Sequence, residues 1–586
     1  MSEHSAAFDL VVCGGRVFDG KGGPSRELHL GIKDGRIAAA SEAPFPAEAC
    51  SDLIDAKGKW VVPGFVDLHT HYDAEIELSP GLRESVKHGV TTIVLGSCSL
   101  SLALGTPEDL ADQFCRVEAI PYSAVRELLE NRKTWSTLSD YRAHLGELAL
   151  GPNVASFVGH SGLRAHVMGL ERSLDRHTLP TEAELRAMEA HLLEGLEVGY
   201  LGLSIQTLKW DKMGGSRSFR SRPLPSTYAR WSEVRRLNRH LRERGRIFQG
   251  VPNVTTKVNV FLFLLESVGI FRKPLRTTVI SMMDTRANRG IHRMVGLISR
   301  AFNLGLGADF RWQALPEVFD LWADGIDLVV FEEFGAGAAA LHLQDSLART
   351  KLLREPGYRS WFKAQWRSWV LPKVFHRNFG YSEILRAPDA TLVGKSFVEL
   401  GRQRDEDPVD TFLELVATHG NELRWYTVMA NDRTAELEWI VSHPDVLIGF
   451  SDAGAHLRNM AHYNFPLRLL KLVRDSHLRG RPCMSFERAV HRVSGEIAEW
   501  LGIDAGTLEV GKIADVVVLD PERLGRDLDV AKESPMEELA GFVRMVNQNG
   551  GAVETVLIGG KRAIAGGEPT LALGAERLGR VLVATR

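Results

Sequence analysis

An apolar run, Trp60-Val61-Val62-Pro63-Gly64-Phe65-Val66, leads directly into Asp67-Leu68-His69-Thr70-His71. This junction constrains the chain more than any other stretch. Residues i and i+2 of a strand share a face. His69 and His71 therefore point the same way, from a strand end that a core can hold rigid. Two imidazoles so placed can grip one metal ion and begin a site that acidifies a bound water. The plain alternative is a surface His-X-His with no ligand role, and what surrounds the motif argues against it.

Downstream, apolar strands alternate with amphipathic helical segments such as Glu182–Gly199 and Trp231–Arg244, the pattern of βα units. Candidate strands end at His69, Cys98 and His160, and near Ser204, Pro252, Asp284, Gln313 and Asp452. That is the strand complement of an α/β (β/α)8 TIM-like barrel. Residues 8–62 read differently, as short strands with tight turns, and Asp34-Gly35 between apolar runs is a hairpin signal. The same style returns at Ala514–Asp520 and Val556–Arg562. Both termini are thus expected to build one small β-sandwich from 1–62 and 505–586, around a barrel at 63–504. Residues 314–425 fit no βα unit and carry the aromatic run Trp361–Trp369. A long insertion of this kind predicts a lid or substrate pocket; a packed surface helix or a contact between copies is the alternative.

Length and composition agree. A chain of 586 residues accommodates a barrel with an insertion plus a small domain. The net charge of −3 gives no reason to invoke nucleic acid. Cys13, Cys50, Cys98, Cys115 and Cys483 are odd in number and scattered, which argues against a disulfide framework and for a reducing compartment. Met1–Ser5 shows no leader signal, and no apolar run reaches membrane-spanning length. The expectation is a cytoplasmic protein acting on a small molecule, without nucleic-acid or membrane partners, with self-association left open.

Two further strand ends carry chemistry. Cys98, in Gly96-Ser97-Cys98-Ser99, would be a soft, strong zinc ligand as its thiolate; a small buried hydrophobe is the plain reading. Asp452 follows the buried run Val446–Gly449. Beside a metal-bound water, such a carboxylate can ligate, take the water's proton and pass it to a leaving amine; a helix N-cap is the alternative.

With Gly64–Asp73, Gly89-Val90-Thr91-Thr92, Gly202-Leu203-Ser204 and Gly506–Asp515, these motifs resemble the amidohydrolase superfamily. Val158-Gly159-His160 through Leu163-Arg164, with Val167-Met168-Gly169, resembles its D-aminoacylase (N-acyl-D-amino-acid deacylase) branch. The resemblance covers most of the chain and is weak over 314–425. It implies a zinc-dependent amide hydrolase with His69, His71, Cys98 and Asp452 as metal ligands, and Asp452 as general base and acid. His160 is expected to complete the shell or touch substrate, and His456 to orient Asp452 or contact substrate. Arg458 or Arg468 is expected to hold a substrate carboxylate by a bidentate pair.

The chain departs from the family at one place. The family supplies two more zinc-binding histidines, at the ends of strands five and six. Here these read Arg246–Asn253 and Thr278–Asp284, and neither contains histidine. One or two ions therefore remain open. Asp284 is a substitute oxygen ligand or a helix cap, Lys209 a bridging lysine or a loop residue, and His342 a structural group. The leading expectation is a metal-dependent hydrolase of a C–N amide bond, in the manner of an N-acyl-amino-acid deacylase. A cyclic-amide hydrolase of imide or hydantoin type and a non-catalytic ligand-binding barrel are the rivals.

Overall fold

The computed structural model describes residues 7–253, 258–371, 373–539 and 541–585. Met1–Ser5, read above for a leader, lies outside them. Strands Arg26–Lys33 and Arg36–Ser41 form the expected hairpin, with Lys33 opposite Arg36. Asp34 and Gly35 take φ of 49° and 71°, as a two-residue primed turn requires. Leu10–Val17 joins them, followed by Trp60–Pro63. The latter lies antiparallel to Val516–Leu519, with Val61 opposite Val518. Val553–Ile558, Lys561–Ala565 and Glu568–Pro569 extend the array, so both ends of the chain share one nine-stranded sheet. Val12, Ile32, Ile37, Val516, Val518 and Leu557 form its own apolar core.

The C-terminal part does not stay with that sheet throughout. A ribbon of Ala531–Met536 paired with Phe542–Asn547 leaves it and packs on the central α/β unit. There Met545 N donates to Leu457 O at 2.8 Å, and Arg544 pairs with Glu75 at 2.7 Å.

In the central unit Phe65–Asp67 pairs in parallel with Val90–Leu95, which pairs with Asn153–Ser156. One residue on, Val158–Gly159 pairs with Gly202–Gln206. The parallel succession continues through Ile247–Val251, Arg276–Val279, Asp309–Ala314 and Val446–Ile448. Phe450–Ala453 then pairs with His69–Thr70, joining the last strand position to the first. Most of these strands are buried along their whole length, as in a parallel sheet covered on both faces. The predicted helices appear as Glu182–Glu197 and Trp231–Glu243.

The insertion packs its aromatics into the same hydrophobic cluster as the central unit. Phe319–Asp324, Arg424–Ala430 and Ser382–Arg386 form an antiparallel sheet that continues past residue 425. Helices including Pro356–Arg367 and Pro408–His419 cover it. Phe331, Phe362, Trp366, Phe379, Phe412 and Trp425 are buried together, with Trp366–Phe379 centroids at 4.3 Å and Phe379–Phe412 at 4.5 Å. The expectation that these aromatics line a substrate pocket is thus corrected, because most of them face one another. Phe412→Ala should cost roughly 3–5 kcal/mol of stability, as a large core deletion, read by urea unfolding, with the metal content of the folded fraction unchanged.

Candidate metal centre

His69, His71, Cys98 and Asp452 come from three strand ends that the parallel pairings bring side by side. Gly96 makes this possible for Cys98. Its φ is +76°, and a Cβ there would lie 2.3 Å from Phe157 O. Cys98 and Asp452 themselves adopt left-handed backbone, with φ of 51° and 57°. Non-glycine residues reach that region at a cost of about 1–2 kcal/mol each, and such strain persists only where surrounding structure enforces it.

His69 Nε2 lies 3.2 Å from Cys98 Sγ and 3.6 Å from Asp452 Oδ1. His71 Nε2 lies 3.3 Å from the same oxygen. One ligand atom from each of His69, His71 and Cys98 falls within 4.8 Å of the others, and all three residues are buried. Ligands on a tetrahedral zinc with bonds of about 2.0–2.3 Å stand roughly 3.3–3.8 Å apart, so the set needs little adjustment to hold one ion.

The surroundings orient these donors. His69 Nδ1–H donates to Gln313 Oε1 at 2.7 Å, leaving Nε2 with its lone pair toward Cys98 and Asp452. Gln313 in turn donates to Thr278 Oγ1 at 3.2 Å. Gln249 accepts from Cys98 N and donates to Ser97 Oγ, both at 3.3 Å. On strand five, which lacks histidine, a glutamine thus holds the loop carrying the thiol. The buried Nδ1 of His71 has no hydrogen-bond partner among the described residues. These residues fit one zinc-like ion. Among the described residues no second such group of His, Cys, Asp and Glu assembles.

Burial pushes His69 down to about 4, which keeps the ring neutral and ready to donate its lone pair. Burial, reinforced by the charges of Asp452 and Asp211, holds the Cys98 thiol well above its usual range. Burial alone would raise Asp452, but the His71 contact and the charges of His71, His69 and His456 take it below the ordinary carboxylate range. Burial likewise works against a charged His71, yet Asp452, Asp73 and Asp211 lift that ring above its usual value. A cation among these groups would reverse the balance at the thiol.

A cavity of about 1190 Å³ is lined among others by Asp211, His456, Arg116, Lys212 and Arg220, and by none of His69, His71, Cys98 and Asp452; its link to the centre is through His456 and Asp211, whose charges act on Asp452. His456 alone of the four expected substrate contacts lies on it. His160 is spent elsewhere: its ring nitrogens bond Ser226 Oγ and Glu233 Oε1, each at 3.0 Å. Arg458 pairs with Asp324 at 2.7 Å and Glu533 at 3.0 Å. Arg468 pairs with Glu317 at 3.2 Å and Asp529 at 3.3 Å. These three are corrections with one cause, since each side chain is already satisfied inside the protein. Asp284 is likewise an ion-pair node for Arg433 and Arg289. Lys209 is exposed on its loop, and His342 bonds Glu332 at 2.8 Å. Sequence reasoning missed Asp211, Gln249 and Gln313. The glutamines leave a faint signal, a polar side chain in the middle of a buried strand; Asp211 sits in a loop with no spacing pattern.

Gln313→Leu should weaken zinc binding about 10–100-fold, as expected for loss of a group that orients a ligand, measured by competition with a chelator. Affinity should rise with pH, because Cys98 and His71 must shed protons to ligate. Calorimetry in buffers of differing ionisation enthalpy would read that proton release.

No family model matches the chain. An uncharacterized protein of Mycobacterium tuberculosis (strain ATCC 25618 / H37Rv) is 46% identical over 570 residues, covering 97% of this chain and 93% of that one. An N-acyl-D-aspartate deacylase of Alcaligenes xylosoxydans xylosoxydans is 32% identical over 207 residues, 35% of this chain and 38% of its own. The N-acyl-D-glutamate deacylase of Bordetella bronchiseptica, solved with zinc and a phosphonate mimic of the tetrahedral intermediate, matches in fold with a TM-score of 0.62. It is 23% identical, and the match covers 98% of this chain and all of that one. The chain thus belongs to one family with the mycobacterial protein, is similar over about a third of its length to an N-acyl-D-aspartate deacylase, and shares the fold of an N-acyl-D-glutamate deacylase.

Proposed function

We propose that the chain is a metal-dependent deacylase of N-acyl amino acids. Its eight parallel strand positions close as a (β/α)8 barrel, with the site at their C-terminal ends. The convergence of His69, His71, Cys98 and Asp452 beside an open cavity carries this reading. The donor set suits zinc, which when bound would polarise the acyl carbonyl and acidify a water.

The protein's own groups account for the rest. Asp452 has a side-chain exposure of 14%, against 0% and 2% for His69 and His71, so it is the most accessible of the three. Held ionised by its histidine neighbours, it accepts the proton of the attacking water. It then hands that proton to the departing nitrogen as the C–N bond breaks. His456 and Asp211 flank this transfer on the cavity side.

The cavity also supplies what Arg458 and Arg468 do not. Arg116, Lys212 and Arg220 line it, and Glu332 answers Arg116 at 2.6 Å and Lys212 at 3.9 Å. Across the whole lining, Arg116, Lys212, Arg220 and Arg349 stand against Asp211, Asp327 and Glu332, a small excess of positive charge for an anion. The Arg220 guanidinium has no hydrogen bond or ion pair among the described residues, so it is assigned to the substrate carboxylate.

Asp452→Asn should lower turnover of N-acyl-D-amino acids by about 10²–10⁴-fold, the range for a lost general base, with zinc content retained. Full activity in that variant, or activity in metal-free protein, would sink the mechanism. Arg220→Gln should raise KM roughly tenfold or more, the worth of a charged hydrogen bond, and leave kcat nearly unchanged.

A further inference from the structure

The helix Ile291–Gly305 turns apolar residues outward as well as inward, where Val295, Ile298 and Phe302 pack half-buried against the core. Met294, Leu297 and Leu304 are 51%, 66% and 70% exposed, and Ala301 lies between them on the same face. The buried face carries His292, Gly296 and Ser299. A surface helix normally turns its apolar stripe inward. The preceding helix, Val258–Ser267, exposes Phe261 and Leu265, and the turn after it exposes Ile270 and the whole ring of Phe271. That turn is tied to the end of the other helix, since Gly269 N donates to Leu306 O at 3.3 Å. The two helices and the turn thus present one apolar surface, of a kind that marks an interaction site.

Its charge is one-sided. Between Asn259 and Leu306 the carboxylates are Glu266 and Asp284. Both are buried, and both are ion-paired, to Arg235 at 3.0 Å and Arg433 at 2.7 Å. Beside Phe271 stand the exposed Arg272 and Lys273. The Arg272 guanidinium bonds the Leu265 and Val268 carbonyls, so no carboxylate cancels it. Lys273 makes no ion pair among the described residues.

We propose that this face docks on a lipid bilayer carrying anionic headgroups. Exposed Phe and Leu side chains with a basic rim, and no exposed acid between Asn259 and Leu306, are a combination that seats a protein in the bilayer interface; the exposed Glu243 lies next to Arg242, which bonds the Lys273 carbonyl. A second copy of the chain fits less well. A two-fold contact would set the patch against itself, bringing Arg272 and Lys273 toward their own images with no acid to answer them. Among the described residues no helix is long and apolar enough to cross a membrane, so the contact is peripheral.

The test is co-sedimentation of the full chain with phosphatidylcholine vesicles, with and without phosphatidylglycerol. The protein should pellet with the anionic vesicles and not with the neutral ones, and high salt should release it. Phe271→Ser combined with Leu297→Ser should weaken pelleting at least tenfold, and Lys273→Glu should weaken it too. Thermal melting and zinc content should not change, because all three side chains are exposed and remote from the metal ligands. Three results would overturn the proposal: no pelleting with anionic vesicles, pelleting indifferent to these variants, or a dimer in sedimentation velocity that the apolar variants dissociate.

Discussion

One short ladder holds the candidate centre together. Phe450 lies opposite His69 and Ala453 opposite Thr70, so the Asp452 strand spends more residues than its partner over the same rise. The irregularity and the left-handed backbone of Asp452 belong together. They turn its carboxylate out of the pleat and toward both imidazoles. Asp67 pins the junction from behind, accepting from Ser451 Oγ and, at 3.3 Å, from His69 N. Burial pushes that carboxyl up to about 8. Were the ladder to slip by one residue, every side chain along it would change face, and neither histidine would meet Asp452.

The sequence made the strand ends legible because each is an apolar run that stops at a polar, chemically distinctive residue. His69, Cys98 and Asp452 could be read that way one at a time, and their meeting follows from strand order. The roles of His160, Arg458 and Arg468 could not be read so, because a motif says nothing about competing partners. Glu233, Asp324 and Glu317 lie well away in sequence from the groups they neutralise. Asp211 and Arg220 escaped for the opposite reason, since each is an ordinary residue in a loop that gains importance only from the cavity it faces.

That cavity is a joint product of distant parts of the chain. Cys115–Tyr122 and Trp210–Arg220 come from loops beyond two parallel strands, Asp327–Leu353 and Val416–Asn421 from the insertion, and Phe542 from the ribbon that leaves the terminal sheet. The insertion's rings keep its fold firm, while its polar edge, Asp327, Glu332 and Arg349, meets the cavity. Aromatic composition alone could not separate these two duties, because packing and ligand binding draw on the same residues.

The glutamines on either side of the centre set its charge count. A thiolate and one carboxylate contribute two negative charges, and neutral imidazoles add none. A single divalent ion would therefore match the charge of these proposed ligands, with Asp73 and Asp211 outside that count. Gln249 and Gln313 stand where a further anionic or imidazole donor would be needed, and an amide offers no charge to offset a second dication. In a low-dielectric interior two uncompensated positive charges are costly. The proposed ligand set thus offers one divalent ion a matching charge.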